Sequence, residues 1–229
     1  MTNEEGTYQP IYAFAHFNPD HIATFLQIHH SSGNKPLEVT SEHLLFLKGQ
    51  AEPVTAAEVR IGDELRLLGR NASSTILHIT EVERAGIFAP LTKEGTIVVD
   101  GAVASNYASL IGEEKNPSAR SLIREVLDEH TYCHLGLAPF RLLCAFAPSL
   151  CDSYDTDGMP YYISAGIWLT RFATLKCPMI IQWLFLVIFL VVTYACILVE
   201  RLSGSFLVYL IGASVGVLFL ARRQQEKVA

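Results

Sequence analysis

Apolar and polar positions divide the chain into a front half of short alternating runs and a back half of helical and unbroken apolar ones. Residues 8–15 (YQPIYAFA) alternate bulky and small side chains and are rich in aromatics, which predicts a strand with Pro10 near its start. Residues 16–20 (HFNPD) predict a turn, because Asn-Pro disfavours helix and an aspartate follows. Residues 24–29 (TFLQIH) predict a second strand, the polar stretch 29–36 a hairpin loop, and residues 37–40 the returning strand of an antiparallel pair. Residues 58–68 (EVRIGDELRLL) keep an apolar-polar rhythm broken at Gly62-Asp63, a tight turn or bulge. Residues 76–82 (ILHITEV) alternate at period two, and residues 95–108 predict two more extended runs around Asp100-Gly101. Frequent turn signals between short strands predict a compact all-β domain over residues 8–110.

Beyond that point the period changes. In residues 116–127 (NPSARSLIREVL), Leu122, Ile123, Val126 and Leu127 recur at helical spacing after Pro117, an amphipathic helix pattern. Within residues 130–146 (HTYCHLGLAPFRLLCAF) another helix is expected after Pro139, and residues 154–172 predict an acidic Gly-containing loop leading into an aromatic-rich helix. Tyr161, Tyr162, Trp168 and Phe172 on that stretch belong either to a core or to a membrane-interface belt. Residues 178–199 carry no charge and are long enough to cross a bilayer core. Glu200 and Arg201 interrupt the run, and residues 205–221 form a second one, so the pattern predicts a two-span hairpin with its turn at residues 200–204. A hairpin buried in a soluble core is the alternative. Gly212 and Gly216, four apart, would let two helices approach closely.

Composition sharpens the partner classes. Hydrophobic residues make up 50% of the chain, charged residues only 17%, and the mean hydropathy of +0.29 is raised by the C-terminal runs. With a net charge of -6 and no basic cluster interleaved with aromatics, nucleic acid is not expected as a partner. Cys133, Cys144, Cys151, Cys177 and Cys196 show no CxxC spacing, which removes zinc-ribbon and thioredoxin readings. The acidic start MTNEEGTYQP is unlike a signal peptide, so targeting would rest on the apolar runs or on residues encoded upstream. Two signals for orientation conflict. In a hairpin, Arg171, Lys176, Arg222, Arg223 and Lys227 share one side against Arg201 alone, placing the folded domain in the cytosol, whereas Asn71-Ala72-Ser73 is a glycosylation sequon usable only in the secretory lumen.

The candidate chemistry lies in residues 37–47 (LEVTSEHLLFL). A hydroxyl at Thr40 and an imidazole at His43, three positions apart at a strand end, line one cavity if the backbone turns there, as gripping and protonating a scissile peptide requires. The same residues also read as a helix N-terminus, with Thr40 or Ser41 as cap and His43 in the first turn. A metal site from His21, His29, His30 and His43 is a further reading, weakened because neighbours His29 and His30 point to opposite faces of a strand. No cofactor and no metal are expected.

In company with IGDELRLL, GIFAPLTKEGTIVVDGAVASNYA and HLGLAPFRLL, in that order, LEVTSEHLLFL makes the chain resemble the C-terminal autoprocessing domain of hedgehog proteins, of the Hint (hedgehog/intein) fold. The resemblance implies a mainly β Hint-type domain, incomplete at its N-terminus, followed by helices and a transmembrane helical hairpin. The expected divisions are a β domain at 1–110, a helical sterol-recognition-like region at 111–177, two membrane helices at 178–221 and a basic tail at 222–229. In the family, a cysteine at the first position of the domain attacks the preceding carbonyl to form a thioester, which a sterol hydroxyl then displaces. By the motif match, Thr40 would orient the scissile amide and His43 would be the acid-base histidine.

Two departures stand out. No cysteine precedes Cys133, and the family's opening cysteine block is absent ahead of Met1, so the expectation is a domain truncated or inactive as written. Where the family carries an aspartate credited with activating the sterol, this chain has His16, with Asp20 close by; His16 is the candidate base, or else an ordinary turn residue. Asn106 stands in place of a family cysteine. The implied partners are a cholesterol-like sterol, membrane lipid and an N-terminal cargo segment, and the implied location is a membrane of the secretory pathway. The alternative is a membrane-tethered sterol- or protein-binding module on a degenerate Hint scaffold.

Overall fold

A computed structural model describes residues 7–32, 35–69, 71–109 and 126–225. Eight strands make up the front of the molecule: β1 (Ile11–His30), β2 (Leu37–Val39), β3 (His43–Leu45), β4 (Val54–Thr55), β5 (Glu64–Arg66), β6 (Ser73–Thr92), β7 (Thr96–Val99) and β8 (Ala102–Ala108). They pair antiparallel into two four-stranded sheets, in the orders β2-β1-β6-β5 and β4-β3-β8-β7. The bridges Leu47–Leu65 and Leu67–Ala102 stitch one sheet to the other. Between them lies a core of Ile28, Leu37, Leu45, Leu65, Ile76, Ile97 and Ala104, all essentially removed from water. The alternation read along residues 24–29 and 37–40 helps fill this space, since alternate side chains face inward, whereas in residues 76–82 a bulge at Leu77 breaks the rhythm and Ile76 and Ile79 are the residues that reach the core.

One expected turn is not a reversal. Residues 16–20 stay within β1, which runs beside β6 from Ile11–Thr92 to His30–Ile76. The Asn-Pro signal is spent on a bulge: the register jumps from Asn18–Ile87 to Ile22–Ala85, setting Pro19, Asp20 and His21 against Gly86 alone. Proline has no N–H to lose from the ladder there. The N–H groups of Asp20 and His21 are accepted instead by Asn18 Oδ1, at 3.2 and 3.1 Å. The turn expected at Asp100-Gly101 does form, with both residues at positive φ (48° and 87°), the geometry that joins β7 to β8 tightly.

Among the described residues, four α-helices follow: α1 (Glu129–Gly136), α2 (Ala138–Phe146), α3 (Tyr161–Lys176) and α4 (Met179–Gln225). Asp128 caps α1, its Oδ1 accepting the Thr131 N–H at 2.9 Å. Phe140, Cys133 and Cys144 pack against Ala13, Leu44, Leu91 and Tyr107 in a second core joining helices to sheet. A disulfide, Cys144–Cys151, ties α2 to the turn that follows it. The amphipathic helix expected over residues 116–127 lies outside the described residues except for its last two positions.

The expected hairpin at the C-terminus is corrected by the structure. Residues 200–204 do not turn; α4 continues through them as one helix. Glu200, taken from the sequence as a loop residue, is instead bound 3.3 Å from Arg141 of α2, and the stretch holds one glycine and no proline. A single glycine costs a helix only about 1 kcal/mol, too little to end one held by such a contact. One face of α4 is docked: Leu186 and Thr193 are buried, and Phe189 stacks on Tyr132 at 4.6 Å. Its other positions, among them Ile180, Leu184, Val187, Val191 and Leu198, are exposed. Among the described residues, Met179–Leu202 is one stretch of helix long and apolar enough to cross a membrane, with a mean hydropathy of 2.5.

Candidate functional site

Thr40 and His43 lie at the two ends of one tight turn between β2 and β3, closed by the His43 N–H donating to the Thr40 carbonyl at 3.1 Å. His43 begins a strand, so the helix-cap reading of these residues is wrong. Leu44 and Leu45 point to opposite faces and anchor the strand in the two cores, which fixes His43 at the rim between them.

The partner strand is deformed there. β3 and β8 pair at His43–Ala108 and again at Leu45–Ala104, so Ser105, Asn106 and Tyr107 of β8 face a single residue, Leu44. Bulges of this kind free backbone groups and re-aim side chains. The Ser105 carbonyl, released from the ladder, accepts from His43 Nε2 at 2.9 Å. A carbonyl cannot donate, so Nε2 carries the proton and Nδ1 holds the lone pair. Burial lowers the His43 pKa below its ordinary value, with the Ser105 hydrogen bond only partly opposing it. His43 is therefore neutral near pH 7, its basic nitrogen turned away from the carbonyl. Among the described residues the Thr40 hydroxyl makes no hydrogen bond, so it is not already committed to the protein.

Behind Ser105 lies a polar layer that sequence reasoning missed. Ser105 Oγ accepts the Tyr107 N–H at 3.0 Å and sits 2.9 Å from His130 Nδ1. His130 and His134, four apart on α1, stack at 6.2 Å. The Tyr107 hydroxyl lies 2.8 Å from His134 Nδ1. Burial raises the Tyr107 pKa well above its ordinary value, so the phenol keeps its proton and donates it to that nitrogen. Burial, then the Arg141 charge, then His130 bring His134 down to about 4. Arg141 in turn donates to the His134 carbonyl at 2.8 Å and to Glu200 Oε1 at 3.3 Å. The available signal was the i, i+4 spacing of His130 and His134, but the helix expected there began only after Pro139, and spacing alone could not connect the pair to β8.

His16 stands apart from this cluster. Its Nε2 donates to the Asp157 carbonyl at 2.6 Å, and its ring neighbour is His21 at 6.4 Å. Among the described residues it makes no hydrogen bond or ring contact with Thr40 or His43. The acidic loop ahead of α3 lies over it: the Phe17 N–H donates to the Gly158 carbonyl at 2.8 Å, and a Cβ on Gly158 would lie 2.5 Å from the Phe17 carbonyl oxygen. Only glycine fits so close an approach, and its φ of 90° demands one as well. Asp20 is exposed, and its backbone is used in the bulge. The four histidines of the metal reading do not gather: His21 lies beside His16, His29 beside His78, and His30 bonds Ser74 Oγ at 2.9 Å. Among the described residues no group of three or more His, Cys, Asp or Glu is placed to hold a metal.

Comparison with known proteins agrees with this architecture. The Hint module family matches residues 1–174. Protein hedgehog of Drosophila yakuba is 29% identical over 172 residues, covering 72% of this chain and 33% of the relative. Protein hedgehog of Drosophila melanogaster gives the same identity and coverage, and that of Drosophila ananassae is 30% identical over 151 residues, 62% of this chain and 28% of the relative. The chain thus spans about a third of the length of these curated relatives. The crystal structure of the VidaL intein covers 40% of this chain and 61% of its own with a TM-score of 0.32 and 11% identity, a likeness too slight to carry weight.

Proposed function

Because the chain belongs to the Hint module family, with hedgehog proteins among its relatives, we propose that it is a hedgehog-type autoprocessing domain. In this reading His43 is the acid-base group and Thr40 orients the amide to be cleaved. The observation that carries it is the His43 Nε2 hydrogen bond to the Ser105 carbonyl, which leaves Nδ1 as the basic nitrogen.

The chemistry follows from that tautomer. A peptide nitrogen leaves poorly unless it is protonated as its bond to carbon breaks. A cysteine supplied by a block preceding this segment would lose its thiol proton to His43 Nδ1 and attack the scissile carbonyl. The imidazolium formed is destabilised by the same burial that lowers the His43 pKa, so it gives the proton readily to the departing nitrogen. The thioester that results is open to a hydroxyl acceptor. We assign acceptor activation to His16, whose ring is oriented by Nε2 donating to the Asp157 carbonyl. A cholesterol-like sterol is the proposed acceptor, and the exposed apolar side chains of Trp168, Leu169 and Phe172 on α3, beside those of α4, suit a lipid environment for it.

The test is to join the chain to a cargo through a family-type cysteine block and add a small thiol. Cleavage is expected in the parent and a loss of 10²- to 10⁴-fold in rate, the span usual for one acid-base group, in His43→Ala. Equal cleavage in His43→Ala, with the fold intact, rejects the assignment.

A further inference from the structure

The polar hairpin joining β5 to β6, at the end of β8 remote from His43, carries a feature the proposed chemistry does not use. Asn71-Ala72-Ser73 is the one Asn-x-Ser/Thr triplet in the sequence whose middle residue is not proline. Asn71 is exposed and occupies a left-handed conformation (φ 61°), one that asparagine tolerates. The turn is held by the Leu67 N–H donating to the Ala72 carbonyl at 2.9 Å, so its backbone does not need the Asn71 side chain. Bulk added at Asn71 extends into solvent. The Leu67–Ala102 bridge places this turn beside Ala102, whereas His43 pairs with Ala108, six residues and about 20 Å further along the strand.

A second observation concerns the compartment. Cys144 and Cys151 are joined by a disulfide, a bond that persists in the secretory lumen and outside the cell and is rare in the cytosol. The charge count that placed the domain in the cytosol assumed a hairpin turning at residues 200–204, and α4 does not turn there.

We propose that Asn71 is an N-linked glycosylation site and that the domain folds on the lumenal, oxidising side of a secretory-pathway membrane. The donor is an oligosaccharide carried on a lipid diphosphate. Asn71 Nδ2 forms the bond to its anomeric carbon and loses one proton, while the carbon–oxygen bond to the diphosphate breaks and the lipid diphosphate leaves. Folded Ser73 gives its hydroxyl proton to Glu64 Oε2 at 3.1 Å, so the sequon is modified before β5 and β6 pair. None of this depends on the chemistry at His43.

The experiment is expression of the full chain in insect cells, with gel mobility read before and after peptide-N-glycosidase. The expected result is a downward shift in the parent and in Ser73→Thr, no shift in Asn71→Asp or Ser73→Ala, and maleimide labelling of Cys144 and Cys151 only after reduction. Asn71→Asp keeps a residue that accepts positive φ, so its fold is preserved, and Ser73→Thr guards against a misfolded Ser73→Ala. No shift in the parent, a shift that persists in Asn71→Asp, or Cys144 and Cys151 labelled without reduction overturns the proposal.

Discussion

His43 and His134 share one interior but meet different partners, and their neighbours decide what each can do. At His43 a carbonyl accepts the Nε2 hydrogen bond, which leaves the lone pair on Nδ1. At His134 the Tyr107 phenol fills Nδ1, and the nearby Arg141 charge opposes protonation, so this ring is structural. The pKa of about 4 in the folded chain against an ordinary 6.5 has a definite sign. Between those values the unfolded chain binds a proton that the folded chain does not, so stability is full above pH 6.5 and falls as the pH drops toward 4. The whole window is worth about 3 kcal/mol for this one group. Urea midpoints measured from pH 7.5 to 4 are expected to fall in the parent and to fall less steeply in His134→Gln; parallel curves would show that His134 is not held neutral.

Among the elements, one irregular strand and one unbroken helix shape the candidate site. The three-residue bulge in β8 turns Ser105 toward His43 on one side and His130 on the other, so α1 is coupled to the strand pair that carries the imidazole. The unbroken α4 closes the layer from behind, where Glu200 meets Arg141, whose side chain is only 6% exposed. Removing one partner of a buried ion pair leaves the other unpaired, at a cost of about 3–5 kcal/mol. Glu200→Ala is therefore expected to loosen α4 from α2 and to speed amide exchange in α1 and α2 while the β2–β1–β6 sheet stays protected. Exchange unchanged throughout the helices would mean that the Arg141–Glu200 pair does not hold them.

For the whole molecule, what was legible in the sequence depended on whether a local pattern had one structural outcome. Period-two alternation in residues 24–29 and 76–82, and the Asp100-Gly101 turn, could be satisfied only by antiparallel strands, and they form. HFNPD was ambiguous: a proline forbids a ladder bond whether the chain reverses or merely bulges, and only the facing strand decides. Glu200-Arg201 was ambiguous in the same way, since charges break an apolar run both in a loop and at a buried ion pair. At the site, Thr40 and His43 could be found because a short motif holds them together. Ser105, His130, Tyr107 and His134 could not, because long-range pairing brings them there. The central claim is that a neutral His43, lone pair on Nδ1, drives peptide cleavage. Its most direct test is the pH dependence of thiol-induced cleavage in the cysteine-completed protein. The parent rate is expected to fall as the pH drops through a pKa below 6.5, and in His43→Gln the rate should be at least 10²-fold lower, with that inflection gone. An inflection that survives in His43→Gln, at an unchanged rate, would contradict the account.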